Sequence, residues 1–413
     1  MEPVSPITLA DIRIPETHMT HIDPTDPLQA VTHPNPYPYY AGLRQRAPLS
    51  RDEASGLWIA AQTQTVKAVL SDERLTVRPV SEPVPRAIAG QPAGDVFGQL
   101  ARMNEGESHR IARQALVAGL SNVDGDTVFG AARRQAHALI DRLGPGGATL
   151  LDTLAFALPV RIVAEMVGLP AEDNLEATVR QFVACVSPAS SAEALQGAHA
   201  AALHLQRSLR ALTDNEAAVT PLVRRIAEGG LQASTALPNP LVSNLLGLFS
   251  QTFDATAGLI GNSVVTLVQQ GDVAHRLHAA PGLIHAFVRE VARFDPPVHN
   301  TRRFARERVD IEGVTLQPGD TILVVLAAAS RDEAVYEHPD RFILDRAPAP
   351  LMGFGAGRHG CPGETVARSI AAGVIAALIA SEYDFGHPAL RWAYRPSLNG
   401  RTPTFTFTEN RPS

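Results

Sequence analysis

Residues 351–363 read LMGFGAGRHGCPG, five glycines and a proline around one cysteine, and an Ala-rich run follows at once. No other stretch restricts the backbone so tightly. Glycines at this density mean that the chain takes conformations barred to other residues, or approaches something closely. Cys361 falls just before the expected start of a helix. There a thiolate is stabilised by the helix dipole and by free N–H groups. The same N–H groups can hydrogen-bond the sulfur and tune a metal bound to it. Two duller readings compete. Gly355, Gly357 and Gly360 fit the dinucleotide fingerprint G-x-G-x-x-G, which requires a strand before it and a βαβ unit around it. RAPAPLMGF precedes instead, with Pro348 and Pro350 arguing against a central strand, and no Val/Ile-rich second strand follows. A free cysteine can also be simply a small buried hydrophobe.

Around this loop the chain reads mainly as helix. Ala, Leu, Arg, Glu and Gln dominate 107–120, 126–143, 153–168, 172–186, 192–213, 218–228, 239–270, 281–294 and 362–381. Strand signals are few: LWIAA at 57–61, the run 309–326 read as a small meander, and TPTFTFT at 402–408. Residues 80–94 and 187–192 read as loops, but periodic segments resume on either side, so neither is a domain linker. The length of 413 residues alone would suggest two or three domains. With no linker and no repeat, the expectation is one domain over 1–413, mainly α with a small β lobe.

Charge and cysteine usage exclude several classes. Lys and Arg number 36 against 42 Asp and Glu, a net charge of −6, so there is no electrostatic case for nucleic acid or an anionic membrane. Two cysteines, Cys185 and Cys361, do not make a disulfide framework. A reducing, cytoplasmic location is expected. Residues 1–27 carry no basic start and no continuous apolar run, so they read as an extended lead-in along the surface, neither signal peptide nor membrane anchor. Cys185, in the apolar QFVACV, reads as structural.

Phe354-Gly355-x-Gly357-x-His359-x-Cys361-x-Gly363 resembles the haem-binding signature of the cytochromes P450, with every specified position filled. The likeness runs in order from HPNPYPYYAGLRQRAP, beginning at His33, to the helix after the cysteine. It implies the P450 fold, with haem b held inside and Cys361 as the sulfur ligand to its iron. Phe354 and Gly355 would lie against the cofactor. Glu290 and Arg293, at i,i+3, share a helix face. Alone they would be a surface ion pair worth a few tenths of a kcal/mol. The resemblance makes them the family's E-x-x-R, with Arg341 of HPDRF as a third, structural member. His109 and Arg113, at i,i+4, could be no more than a solvated helix start capped by Ser108 or Glu107. The resemblance assigns both to a haem propionate, together with Arg303 and His359. Arginine suits that role, since it offers a carboxylate charge-assisted and even bidentate hydrogen bonds.

One segment departs from the family. Residues 239–270 form an apolar helix interrupted by Ser250-Gln251-Thr252-x-Asp254-x-Thr256. Polar groups inside a buried helix cost free energy unless they are partnered or face a cavity. The segment is similar to the helix that crosses the distal face of the haem. Anchored on LIGN at 259–262, the comparison puts Asp254 at the acid position and Ala255 where the family has an alcohol for proton delivery. Thr256 could substitute only if the helix were wound differently there, because each residue turns it by about 100°. Gln251, one turn before Ala255, could orient a water, and the substrate could bring its own hydroxyl or amide. Phe253, Val298 and His299 are expected at the substrate, and Leu75–Met103 as a variable lid. The implied function is insertion of one oxygen atom into a small, largely apolar molecule. Ferredoxin and ferredoxin reductase would supply electrons, since no flavin or iron–sulfur segment follows the signature. The alternative is a haem-thiolate enzyme that couples, desaturates or rearranges its substrate, or uses peroxide.

Overall fold

The computed structural model describes residues 23–146, 149–170, 174–186, 190–231 and 238–408. Most of the expected lead-in at 1–27 and half of the expected break at 187–192 lie outside them.

The mainly α expectation holds. The axis of the fold is the helix Pro240–Gln269, which begins with Asn239 accepting from the Val242 N–H at 3.1 Å and a proline in the first turn. These are standard start signals. It is apolar on nearly all sides because it is surrounded. Helices Pro92–Gln99, Leu158–Val167, Leu175–Val183, Ala192–Thr213, Ile284–Phe294 and Glu364–Ala380 all pack on it. Glu364–Ala380, the run that follows the cysteine, is wedged between this axis and the helix Gly125–Leu143. Gly258 marks where the axis meets irregular backbone. A Cβ there would lie 2.7 Å from Pro297 Cβ and 2.9 Å from the Arg401 carbonyl oxygen.

The β structure is peripheral. A five-stranded sheet runs in the order Leu49–Arg51, Trp58–Ala60, Thr321–Val324, Thr301–Ala305, Leu75–Thr76. Its one parallel pair sets Trp58 opposite Ile322. Two hairpins stand apart, Val309–Ile311 with Val314–Leu316 and Leu390–Tyr394 with Pro403–Phe407. The expected meander over 309–326 is therefore split. Its first two pieces close on themselves through Glu312 and Gly313, both at positive φ as a tight two-residue turn demands. The third piece leaves to pair with Trp58–Ala60 and Thr301–Ala305.

Among the described residues, the α-helices Tyr37–Arg44, Thr63–Ser71, Gly271–Ala279 and the four-residue Leu326–Ala329 were not read from the sequence, and Pro92–Gln99 lies inside the expected lid. The helix expected at 153–168 begins at Leu150 and widens to a π-type turn over Thr153–Ala157. No such bulge occurs in Pro240–Gln269, which is α-helical throughout.

Candidate functional site

The cysteine loop is built by two left-handed glycines, Gly355 at φ 72° and Gly357 at φ 65°. Only glycine takes these values without strain. They fold the loop back so that the Cys361 N–H donates to the Phe354 carbonyl at 2.8 Å. A Cβ on Gly357 would also come within 3.0 Å of the Leu70 carbonyl oxygen. Cys361 is thereby fixed three residues ahead of the helix Glu364–Ala380, and it is exposed although it lies within the fold. Burial pushes its thiol pKa up, while the Gly363 backbone N–H and Arg113 pull it back down.

Beside the sulfur lies a basic cradle drawn from three parts of the chain. The His109 and His359 rings pack with centroids 4.1 Å apart. Burial first, then His359 and Arg113, lower His109 to about 4, so it stays neutral at pH 7. Arg303, on the strand Thr301–Ala305, is 3% exposed, and burial lowers its pKa to about 10. The Arg303 Nε and the His359 Nδ1 are buried without a hydrogen-bond partner. Arg113 makes no hydrogen bond or ion pair within the described residues, and burial depresses it while Cys361 opposes that shift. The sequence reading missed Glu105. This residue, not Ser108 or Glu107, precedes the helix Gly106–Leu120. Its carboxylate meets His359 Nε2 at 3.2 Å and Arg358 Nε at 3.0 Å. Burial alone would raise Glu105, but hydrogen bonds from His359 and Arg358 overcome it and bring it to about 2. Arg358 also donates to the Asp72 and Leu75 carbonyls, locking the loop to the sheet.

The Glu290–Arg293 pair is buried, not a surface contact. Arg293 donates to both carboxylate oxygens at 2.7 and 2.9 Å and to the Ser330, Pro339 and Arg341 carbonyls. The third member is corrected. Arg341 offers only its backbone oxygen and is exposed. Arg346 is the side chain that reaches Glu290, at 3.1 and 3.2 Å. The coil turns between them, and the Ile343 N–H is drawn to Glu290 Oε1 at 3.0 Å.

The middle of Pro240–Gln269 has an accessible stretch of its own. Gln251 is exposed there, and Leu248, Thr252, Asp254 and Ala255 are partly so, although the same helix is buried on either side of this stretch. Gln251 Nε2 donates back to the Gly247 carbonyl at 3.0 Å, which leaves its amide oxygen free to accept. Asp254 is paired with Arg395 at 3.1 Å, and burial raises its pKa while Arg395 opposes. Three expectations change here. Thr256 is 1% exposed, and in a regular helix it stays turned about 100° from Ala255. Phe253, 1% exposed, lies about 200° from Gln251 and packs on Phe156 with centroids 5.4 Å apart. It is a core residue. His299 is fully buried, with Nδ1 2.9 Å from the Tyr40 hydroxyl and Nε2 3.6 Å from Asp295, so it belongs to an internal polar network and not to a substrate surface. Val298 remains partly exposed, bridging to Gly400.

The donors fit a prosthetic group that carries its own ligands to the metal and two carboxylates. Among the described residues no cluster of three or more His, Cys, Asp or Glu could hold a metal ion. A lone accessible sulfur can ligate only a metal otherwise coordinated. The partnerless Arg303 Nε, His359 Nδ1 and Arg113 guanidinium are the groups that carboxylates beside that metal would satisfy. No helix among the described residues is long and apolar enough to cross a membrane.

Comparison with known proteins agrees. The cytochrome P450 family model matches residues 265–385. The mycinamicin IV hydroxylase/epoxidase of Micromonospora griseorubida is 30% identical over 346 residues, 80% of this chain and 83% of that protein. The biotin biosynthesis cytochrome P450 of Bacillus subtilis (strain 168) is 26% identical over 380 residues, 89% of this chain and 94% of its own length. The crystal structure of CalO2 superposes with a TM-score of 0.80 at 26% identity, over 94% of this chain and 99% of that one.

Proposed function

Because this chain belongs to the cytochrome P450 family, an oxidoreductase family that uses a haem iron, we propose that it is a haem-thiolate monooxygenase with Cys361 as the sulfur ligand. The observation that carries this reading is one cysteine, set by two left-handed glycines ahead of a helix, beside a basic cradle in which the Arg303 Nε and His359 Nδ1 are buried without a partner. The haem, when bound, supplies reductive activation of dioxygen, one oxygen atom entering a small, largely apolar substrate and the other leaving as water.

The residues divide the remaining work. The Cys361 backbone N–H, donating to Phe354, fixes the angle at which the sulfur is presented. Haem b fits as the cofactor: Arg113, Arg303, His109 and His359 would hold its propionates and Phe354 and Gly355 would lie against it, while Glu105 keeps Arg358 and His359 in place. Glu290, Arg293 and Arg346 keep the backbone beneath the cysteine loop from shifting. On the distal side, Gln251 presents an amide oxygen to a water, and Asp254 is the titratable group that brings protons from outside. Val298 lines the substrate. Electrons arrive from separate proteins, ferredoxin and its reductase.

A second reading has its own observation. Ala255 stands where an alcohol would complete proton delivery, and Thr256 is turned away and buried. That combination favours a haem-thiolate enzyme that couples, desaturates or rearranges its substrate, or is driven by peroxide. Product analysis with isotopically labelled dioxygen separates the two. The common premise is tested by Cys361→Ala. The wild-type protein is expected to give the red-shifted carbon-monoxide band on reduction, and the variant to lose it. A variant that keeps the band overturns the assignment.

A further inference from the structure

Arg102 is an arginine without a counter-ion beside the proposed distal site. It lies in the short turn Ala101–Met103, just ahead of the helix Gly106–Leu120. The turn is clamped to the axial helix. The Ala101 N–H donates to Asn244 Oδ1 at 2.9 Å, and Asn244 Nδ2 donates to the Gln99 carbonyl at 2.8 Å. Asn104 Nδ2 closes the other end on the Gly98 and Leu100 carbonyls. A Cβ on Gly247, one turn before Gln251, would come within 2.8 Å of the Leu100 side chain. Arg102 is therefore held next to the accessible Gln251–Ala255 stretch.

Its Nε is buried without a hydrogen-bond partner, and within the described residues no nitrogen of its guanidinium makes a hydrogen bond or an ion pair. The groups around it do not supply one. Asp254 is the charged residue acting on it, but that carboxylate is engaged by Arg395 at 3.1 Å. The neighbouring Cys185 thiol is pushed up to about 12 by burial and brings no charge. Arg180 flanks the same region over Phe156 and Phe253, and it is engaged by Glu176. Arg102 is half-buried with its Nε sealed from water, and a cation partly desolvated with no anion to meet it is costly. The cost is relieved when a ligand brings a carboxylate, whose two oxygens match the guanidinium fork.

We propose that Arg102 is a substrate-anchoring residue, and that the substrate of this enzyme has an apolar body carrying a carboxylate. The proposal rests on the haem-thiolate reading and refines its substrate class. The carboxylate docks on Arg102 between the lid segment and the axial helix, and the apolar part extends past Gln251 and Ala255 toward Val298 and Cys361.

The test uses holoenzyme titrated with C8–C14 alkanoic and arylalkanoic acids, each against its own primary amide, read as the spin-state shift of the ferric haem and as binding heat. At least one acid is expected to bind about tenfold or more tightly than its amide. Arg102→Gln removes that preference, with the loss confined to the acids. Arg102→Lys, which keeps charge and loses the fork, weakens the acids severalfold, and it decides the matter if Arg102→Gln fails to take up haem. Absence of acid preference in every pair, or a preference that survives both variants, overturns the proposal. The carbon-monoxide band of the reduced protein reports the underlying reading separately. Its presence in the variants shows an intact site, and its absence from the wild type sinks that reading and the proposal with it.

Discussion

Glu290, itself buried, accepts from two guanidiniums and a backbone amide at once. Its pairing with Arg293 was legible in the sequence because i,i+3 spacing on a helix is a local fact. The third partner was not. Arg341 and Arg346 lie in the same coil, and only the path of that coil decides which one turns inward. Removing Arg346 leaves a buried carboxylate under-satisfied, at a cost of about 1–3 kcal/mol. Removing the exposed Arg341 side chain is expected to change stability by no more than about 0.5 kcal/mol. Urea unfolding of Arg346→Ala and Arg341→Ala checks this, and equal effects would contradict the assignment. The same division runs through the site. Cys361, His359 and the glycines were legible because their constraint is carried within one loop. Glu105 was not, because its partners Arg358 and His359 are more than 250 residues away in the chain.

Long periodic helices were readable to within a few residues, as with Ala192–Thr213, which coincides with its expected span. Short helices such as Tyr37–Arg44 and Thr63–Ser71 were not, because two turns give too little periodicity to separate from a loop. Strands of two or three residues, Leu75–Thr76 and Leu49–Arg51, exist through partners far along the chain and carry no pattern of their own. What decides the axial helix is how closely it is approached. At Gly258 an added methyl would collide with Pro297, the Arg401 carbonyl and Thr402, two of which are backbone or ring atoms that cannot swing aside. Overpacking of this kind costs about 1–3 kcal/mol, enough to outweigh the roughly 1 kcal/mol that alanine gains over glycine in a helix. Gly197, mid-helix with nothing within 4 Å of its would-be Cβ, lacks the collision. Gly258→Ala is therefore expected to lower the unfolding midpoint and Gly197→Ala to raise it. If both raise it, the approach at Gly258 is looser than described.

At the scale of the whole molecule, a buried polar network joins segments that have no local reason to meet. Arg401 pairs with Asp295 at 2.9 Å and donates to the carbonyls of Val31, His33 and Pro34. Tyr37 donates to Asp295 at 2.5 Å, and the Tyr40 hydroxyl meets His299. The start of the described chain, the end of the helix Ile284–Phe294 and the approach to the last strand are thus fixed to one another. Such a network makes stability depend on pH in a direction that can be worked out. Burial lowers His299 to about 4, and Asp295, already claimed by Arg401, only partly offsets this. In the unfolded chain a histidine takes up its proton near 6.5. The depressed native pKa therefore contributes stability that is fully present above about pH 6.5 and drains away as the pH falls toward 4, because the unfolded state gains the proton first. Between pH 7 and pH 5 the His299 share of this loss is about 1–2 kcal/mol. Ordinary carboxylates are still ionised over most of that window, so they contribute little to the slope. Urea midpoints at pH 7, 6 and 5 should fall steadily for the wild type. His299→Gln, which keeps a polar partner for Tyr40 but does not titrate, should start lower and fall less. Equal slopes for the two proteins would show that His299 is already charged in the native state, and that Asp295 rather than burial governs it.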